Sequence, residues 1–265
     1  MKRGLWAPET EINLPQPVFI AGLPRSGTTL VHFLVGMHPQ CIALGEVIGY
    51  LENPRRAKCS CGEWDDECSF WSGVKERSYD AVRQRVEEVY GPDKIMVDSS
   101  KTPAAKQLLG DARVLYCIRD VRAWTLSRRD QGVINYLKWH RWNQRDLAQL
   151  PGALVVSYDE LVLRLDSSRR RIMDFLGLEY LSDTNFAQAE HHAIHANRMK
   201  SQPAKMANVD YDHRWVYSSP HWPAALLPQV MKYNSKMVYG LTENIYELAS
   251  DDPRLYNRQK DQTQP

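Results

Sequence analysis

The sequence predicts an α/β fold in three layers, α/β/α, with a central and mainly parallel sheet. Short β-type runs recur along the chain, a helix-compatible segment follows each run, and a glycine-framed turn follows the first. Strands alternating with helices form βαβ units, which place helices on both faces of a parallel sheet. The four runs are "PVFIAG" (Pro17–Gly22), "DKIMVDSS" (Asp93–Ser100), "ARVLYCIRD" (Ala112–Asp120) and "ALVVSYDEL" (Ala153–Leu161).

Three helices stand out in the second half of the chain. The stretch Val133–Leu150 has amphipathic periodicity, and Ser168–Leu178 reads as a helix that Gly177 ends. A last helix is expected near Val230–Leu248. We expect a single domain over residues 1–265, with a Cys/Trp-rich insertion at about 52–75 and a polar tail at about 250–265.

Composition restricts the class of protein. The chain has 265 residues, a hydrophobic fraction of 43% and a net charge of +2, which is too mild to indicate a nucleic-acid partner. No run has the length of a membrane span, and the N-terminus lacks a signal-peptide core. Five cysteines do not pair evenly. We therefore expect a cytoplasmic protein.

Unusual polar residues fall where the predicted strands end. In a parallel sheet, ligands bind at the carboxyl ends of the strands. A coincidence of polar side chains at several of these ends therefore indicates a ligand site. The residues concerned are Arg25, the segment Asp98 to Lys101, Arg119 and Tyr158.

The turn after the first run, "GLPRSGTT", fits the G-x-x-x-x-G frame of a phosphate loop. The lysine of a nucleotide kinase is missing: Thr28 stands in its place, and the nearest cation, Arg25, precedes the second glycine. Backbone N–H groups of such a turn converge with a helix N-terminus on one anion. We therefore predict a P-loop-type site for a phosphate ligand that does not require the kinase lysine.

The sequence resembles the sulfotransferases that use 3′-phosphoadenosine 5′-phosphosulfate (PAPS). The resemblance is to the bacterial type of this family, which is related to the P-loop sulfotransferases. "GLPRSGTTLV" looks like their 5′-phosphosulfate loop, and "YCIRDVRAWTLSRR", "VVSYDELV" and "HHAIHANRMK" are similar to three further motifs in the same order. In the last motif Ala196 replaces the family's glycine and Lys200 its second arginine. The resemblance implies a cofactor site made by Arg25, Ser26, Gly27, Thr28, Thr29, Arg119, Ser127, Tyr158, Arg198 and Lys200. It implies PAPS as donor, adenosine 3′,5′-bisphosphate as product, and no required metal.

The same resemblance implies three catalytic residues. The spacing from Gly22 to Glu46 is similar to that of protein-tyrosine and related sulfotransferases, in which a glutamate is the base. Lys101 in "DSSK" stands where similar enzymes stabilise the departing oxygen, and Arg25 is given the same charge role. The rival bases, which we rank below Glu46, are His32, His140 and His192.

The segment "CSCGEWDDECSFW" carries Cys59, Cys61 and Cys68. Structural Zn²⁺ sites are normally four-coordinate, and the C-x-C-x₆-C spacing offers no clear fourth ligand. Free packed thiols and a disulfide are the alternatives, and we predict no metal. The segment is expected to form a lobe near the acceptor site, with Trp215, Tyr217 and Trp222 as the opposite wall.

The function that follows is in-line transfer of a sulfuryl group from PAPS to a hydroxyl of a small molecule, a glycan or a carrier-bound acceptor, with a glutamate base. Two alternatives remain. One is an ATP-dependent P-loop kinase, although the lysine that such a kinase requires is missing from this loop. The other is a non-catalytic nucleotide-binding protein, which would bind nucleotide without transferring sulfate.

Overall fold

We describe a computed structural model of the chain. It covers residues 15–53, 55–128, 132–182, 190–195, 211–218 and 222–240. The predicted cofactor residues Arg198 and Lys200 and the polar tail lie outside these ranges. The single-domain boundaries stay a prediction.

A six-stranded sheet forms the centre of the described structure, and every pairing in it is parallel. Its strands are β1 (Val18–Gly22), β2 (Cys41–Gly45), β3 (Ile95–Lys101), β4 (Arg113–Ile118), β5 (Leu154–Ser157) and β6 (His191–Ile194). They lie in the order β5-β4-β1-β3-β2-β6. The predicted α/β class with a mainly parallel sheet is therefore confirmed.

Helices cover both faces of this sheet. In chain order they are α1 (Thr28–Gly36), α2 (Val47–Glu52), α3 (Tyr79–Tyr90), α4 (Lys106–Leu109), α5 (Val121–Ser127), α6 (Val133–Ala148), α7 (Tyr158–Leu163), α8 (Leu165–Leu176), α9 (Arg214–Ser218), α10 (Trp222–Leu226) and α11 (Pro228–Tyr239), with 3₁₀ turns at Trp71–Gly73 and Pro103–Ala105. Helices α1 and α8 pack on one face and α2 and α3 on the other.

Strand β1 shows why the sheet is buried between the two layers of helices. All five of its residues are buried, with Phe19 and Ala21 packed into one core and Val18 and Ile20 into the other. Side chains alternate across a strand, so a strand buried on both faces reads as a continuous apolar run. Burying one such side chain stabilises the fold by about 1.5–3 kcal/mol.

Some element boundaries differ from the sequence prediction. The run Ala153–Leu161 divides, because the Ser157 hydroxyl accepts a hydrogen bond from the Glu160 N–H and caps helix α7. The last described helix begins at Pro228 and ends at Tyr239, and its C-cap, Gly240, takes a left-handed conformation. Strands β2 and β6 were not among the predicted runs. Strand β6 begins with two histidines, so it does not read as an apolar run, whereas β2 is as long as β1 and was missed.

The described residues contain no helix that is long and apolar enough to cross a membrane. The cytoplasmic location stays a prediction.

Candidate active site

Strand register places the ends of four neighbouring strands along one edge of the sheet. Gly22 at the end of β1 pairs with Cys117 of β4, and Ala21 pairs with Lys101 at the end of β3. Gly45 at the end of β2 pairs with Asp98 of β3. The crossover after β1 leads toward β2 and the one after β4 leads toward β5, on opposite sides, which makes the β1/β4 gap a topological switch point.

The candidate phosphate loop, residues 22–27, bridges β1 and α1. The Ser26 N–H donates to the carbonyl of Leu23, and Arg25 and Gly27 have positive φ angles of 78° and 95°. Gly27 caps α1 without a side-chain hydrogen bond, so the first N–H groups of the helix keep their donor capacity. The buried hydroxyl of Ser26 has no hydrogen-bond partner among the described residues. These donors fit an anion.

Tyr158 packs against this loop. A Cβ on Gly27 would lie 2.7 Å from Cδ2 of Tyr158, so a larger residue there would push the ring away. The guanidinium of Arg119 lies over the same ring, 4.5 Å from its centre. The structure thus brings Gly27, Tyr158 and Arg119 together, although they come from three separate loops of the sequence.

Arg119 lies directly after β4 and is buried. Its Nη2 bonds Asp212 at 2.9 Å and its Nη1 bonds the carbonyl of Arg25 at 3.4 Å, while its Nε has no partner among the described residues. Hydrogen bonds from Arg214 and Arg119 hold the pKa of Asp212 well below its usual range. Ser127, the last residue of α5, donates to the carbonyl of Trp124 instead.

A buried hydrogen-bond network, which the sequence did not reveal, holds residues 211–215 beside Arg119. Asp159 accepts from the backbone of Asp120 and from the hydroxyl of Tyr211. That hydroxyl in turn accepts from the indole of Trp215, over which the Arg122 guanidinium lies at 4.3 Å. Burial raises the pKa of Asp159. Trp215 is therefore engaged in this network, and Tyr217 is exposed.

Glu46 and Lys101 form an ion pair at the ends of β2 and β3, with Lys101 Nζ bonded to Oε1 of Glu46. Both side chains are three-quarters buried or more. The backbone of Glu46 is fixed because its N–H donates to the carbonyl of Ile194 in β6. A carboxylate and an ammonium thus share one site. It lies at the ends of β3, the neighbour of β1, and of β2, which is one strand farther from the phosphate loop.

Asp98 and Ser100 fix the start of the helix that follows Glu46. Asp98 Oδ1 accepts from the Ser100 N–H at 2.7 Å and from the Val47 N–H at 3.4 Å, and the Ser100 hydroxyl accepts from the Ile48 N–H. Complete burial raises the pKa of Asp98 to about 7. Sequence reasoning placed this segment at the ligand edge but did not identify its positioning role.

The three rival histidines lie in other settings. His32 accepts from the Gly45 N–H at Nε2, and burial lowers its pKa to about 3, so it is neutral and positions β2. His140 packs edge-on against Tyr233. His192 bonds Glu190 and contacts Cys68.

The sequence offered no clear fourth metal ligand for the cysteine segment, and the structure places His192 in that position. The ligand atoms of Cys59, Cys61, Cys68 and His192 all lie within 4.8 Å of one another. This group is the candidate metal site in the described residues, and it is separate from the Glu46–Lys101 pair.

Comparison with known proteins identifies a family and agrees with the fold. The profile of the sulfotransferase family matches residues 17–183. Protein-tyrosine sulfotransferase A of Caenorhabditis elegans is 23% identical over 282 residues, covering 92% of this chain and 72% of its own.

Two solved structures share the fold. The sulfotransferase domain of the Synechococcus PCC 7002 olefin synthase has 16% identity and a TM-score of 0.52, covering 90% of this chain and 100% of that one. The sulfotransferase domain from the curacin biosynthetic pathway has 17% identity and a TM-score of 0.51, covering 81% of this chain and 98% of that one. Because the family profile spans more than half of the sequence, this chain belongs to the sulfotransferase family.

Proposed function

We propose that this sulfotransferase uses PAPS as donor and transfers the sulfuryl group to a hydroxyl of a small molecule, a glycan or a carrier-bound acceptor. The observation that carries the proposal is the Glu46–Lys101 pair, which lies on the same sheet edge as a phosphate loop without the kinase lysine. This arrangement supplies a base, a cation and an anion cradle within neighbouring strand ends.

The residues present fit a nucleotide with two separate phosphate groups. The unpartnered Ser26 hydroxyl and the first N–H groups of α1, with Thr28 and Thr29, would hold the 5′ side. Arg119, whose Nε is unpartnered among the described residues, would hold the 3′-phosphate with Ser127. In that role Ser127 would turn its hydroxyl from the Trp124 carbonyl toward the ligand.

Bound PAPS would supply the activated sulfuryl group. In the transfer, Glu46 takes the proton of the acceptor hydroxyl. Lys101 bonds Oε1, which leaves Oε2 for that proton. Lys101 and Arg25 neutralise the negative charge that grows on the departing oxygen. Asp98 and Ser100 hold the backbone that presents Glu46.

The decisive experiment follows transfer of labelled sulfate from PAPS to a pool of hydroxyl acceptors. The pool includes extracts of the producing cell, glycans and carrier-bound hydroxyls, and also a tyrosine peptide because a relative is a protein-tyrosine sulfotransferase. We expect a sulfated product by mass analysis. Glu46→Gln should reduce the rate by about 10²- to 10⁴-fold, since a positioned base contributes that much.

Glu52→Gln is the matched control, because Glu52 is an exposed glutamate at the other end of the same helix α2. It should keep the full rate. If Glu46→Gln transfers sulfate as fast as the parent protein, Glu46 is not the base. If the parent protein binds adenosine 3′,5′-bisphosphate but sulfates nothing in the pool, the non-catalytic alternative is favoured.

A further inference from the structure

Three cysteines of the insertion and one histidine of the sheet converge at a single point. Cys61 Sγ lies 3.7 Å from Cys68 Sγ, and His192 Nδ1 lies 3.2 Å from Cys68 Sγ and 3.7 Å from Cys59 Sγ. No disulfide joins these cysteines. The convergence is long-range, because Cys68 and His192 are separated by 124 residues in the sequence.

Three spacings between these atoms match a tetrahedral ligand set, and all four ligand atoms lie within 4.8 Å of one another. With Zn–S bonds of about 2.3 Å and Zn–N bonds of about 2.0 Å, two sulfurs lie about 3.8 Å apart and a sulfur and a nitrogen about 3.5 Å apart. The measured separations of 3.7 Å for Cys61–Cys68, and of 3.2 and 3.7 Å from His192 to its two sulfurs, are close to these values. Three thiolates and one imidazole form the Cys₃His set of closed structural zinc sites.

Backbone hydrogen bonds fix the conformation of the loop that carries the first two cysteines. Lys58 and Trp64 form an antiparallel bridge, and the Gly62 N–H returns to the carbonyl of Cys59 at 3.1 Å. Gly62 has a φ of 101°, which favours glycine and lets the turn bring Cys59 and Cys61 to the same side.

Glu190 and Tyr90 orient His192 through Nε2, the ring nitrogen that points away from the cysteines. His192 Nε2 lies 3.0 Å from Oε1 of Glu190, and that oxygen also accepts from the hydroxyl of Tyr90 at 2.8 Å. A carboxylate on the remote ring nitrogen fixes the tautomer in which Nδ1 faces the metal. The ring itself is stacked on Phe70 at 5.4 Å. The hydrogen bond at Nε2 and the stacking on Phe70 thus hold the imidazole with Nδ1 facing the cysteines.

We propose that Cys59, Cys61, Cys68 and His192 bind one structural Zn²⁺ ion. The four ligands fill the tetrahedral positions, so the ion keeps no open site for substrate and takes no part in sulfuryl transfer. Its function is to fasten the insertion to β6. Ser60 already donates to the carbonyls of His191 and Ala193 there and accepts from the Ala193 N–H.

The consequence for the active site follows from the position of β6. The carbonyl of Ile194, two residues after His192, accepts the hydrogen bond from the Glu46 N–H. Trp71 of the insertion donates to the carbonyl of His192 and packs on Tyr50, one turn after Glu46. The ion therefore stabilises two of the supports of Glu46.

The test measures metal in the purified full-length protein. We expect about one zinc ion per chain by elemental analysis, and in cobalt-substituted protein an absorption band from thiolate-to-cobalt charge transfer. Cys61→Ser should lose the zinc and the cobalt band and lower the melting temperature. This variant is the mildest probe, because Cys61 is the exposed member of the set.

Cys41→Ala is the matched control, since Cys41 is a buried cysteine in β2 outside the cluster. It should keep one zinc per chain. Glu190→Gln should keep the fold and weaken metal affinity about 10- to 100-fold, as second-shell changes do.

Two results would overturn the proposal. One is a parent protein that binds neither Zn²⁺ nor Co²⁺ after dialysis against the metal alone while its thiols titrate as free. The other is an intact mass that shows a disulfide among the three cysteines. Neither result depends on sulfate transfer, so the metal proposal and the proposed function fail separately.

Discussion

At the scale of single residues, backbone strain marks the sheet edge that carries the site. Arg25, Lys101 and His195 have positive φ angles of 78°, 70° and 54°, and they are the described non-glycine residues that do. Such a conformation costs of the order of 1–3 kcal/mol per residue and persists where surrounding contacts enforce it. Arg25 follows β1, Lys101 ends β3 and His195 follows β6, so all three lie at the carboxyl ends of strands, on the edge that carries the candidate site.

Lys101→Ala tests the charge role of this lysine. We expect turnover to fall by about 10²- to 10³-fold, as when one stabilising donor is removed, with little loss of nucleotide affinity. Lys138→Ala, which removes an exposed lysine of α6, should change neither quantity. Steady-state kinetics and titration with adenosine 3′,5′-bisphosphate measure the two separately. Equal losses of turnover and affinity would contradict the role.

Asp98→Asn tests the buried carboxyl. The folded protein holds the Asp98 proton up to pH about 7, whereas the unfolded chain releases it near pH 3.8. Between these values the folded state binds more protons, so the free energy of unfolding falls as pH rises. Asp98→Asn should remove this contribution, of the order of a few kcal/mol, and flatten the profile in urea unfolding. Asp111→Asn, at an exposed aspartate, should keep the parent slope. An unchanged slope for Asp98→Asn would refute the raised pKa.

At the scale of elements, residues 211–215 lie beside the proposed nucleotide site. The Trp215 indole donates to the Tyr211 hydroxyl, which donates to Asp159 and so holds this segment in place. Asp212 accepts a hydrogen bond from Nη2 of Arg119. A phosphate at Arg119 meets the negative charge of Asp212 at the same guanidinium. In the proposed function the segment therefore sets how strongly Arg119 holds the 3′-phosphate.

Asp212→Asn should therefore tighten binding of adenosine 3′,5′-bisphosphate, by about fivefold to tenfold for a change of roughly 1 kcal/mol. Isothermal titration measures the affinity. Asp174→Asn makes the same change of charge at an exposed position of α8 and should leave binding unchanged. Weaker binding by Asp212→Asn would mean that Asp212 positions Arg119 rather than competing with the phosphate.

At the scale of the whole molecule, the strand order places both proposed anion sites at one crevice. The loop after β1 and Arg119 after β4 border the switch point, while Glu46 and Lys101 lie on the other side of β1. A nucleotide that fills the crevice contacts several elements at once, so its binding should stabilise the entire fold.

Adenosine 3′,5′-bisphosphate at a hundred times its dissociation constant should add about 2.7 kcal/mol of stability without added Mg²⁺. For a protein of this size that corresponds to a rise of several degrees in melting temperature. Adenosine 5′-monophosphate, which lacks the 3′-phosphate, is the matched ligand control and should give a smaller shift. A larger shift with ATP and Mg²⁺ would favour the kinase alternative.

The sequence alone determined the features that are local. The apolar runs of β1, β3, β4 and β5 and the glycine-framed loop were readable, because burial on both faces and a left-handed turn restrict residue types at adjacent positions. The same local motifs indicated the sulfotransferase family. Strand β6 gives no such signal because it begins with two histidines, and β2 was not recognised although it is as long as β1.

Only the tertiary structure decided which side chains meet. Glu46 and Lys101 are 55 residues apart, Arg119 and Asp212 are 93 apart, and Cys68 and His192 are 124 apart. Sequence ranked His192 as a possible base, whereas packing placed it among three cysteines. Contacts of this length depend on sheet order and register, which no local pattern specifies, and so the partners of each charged group emerged from the fold.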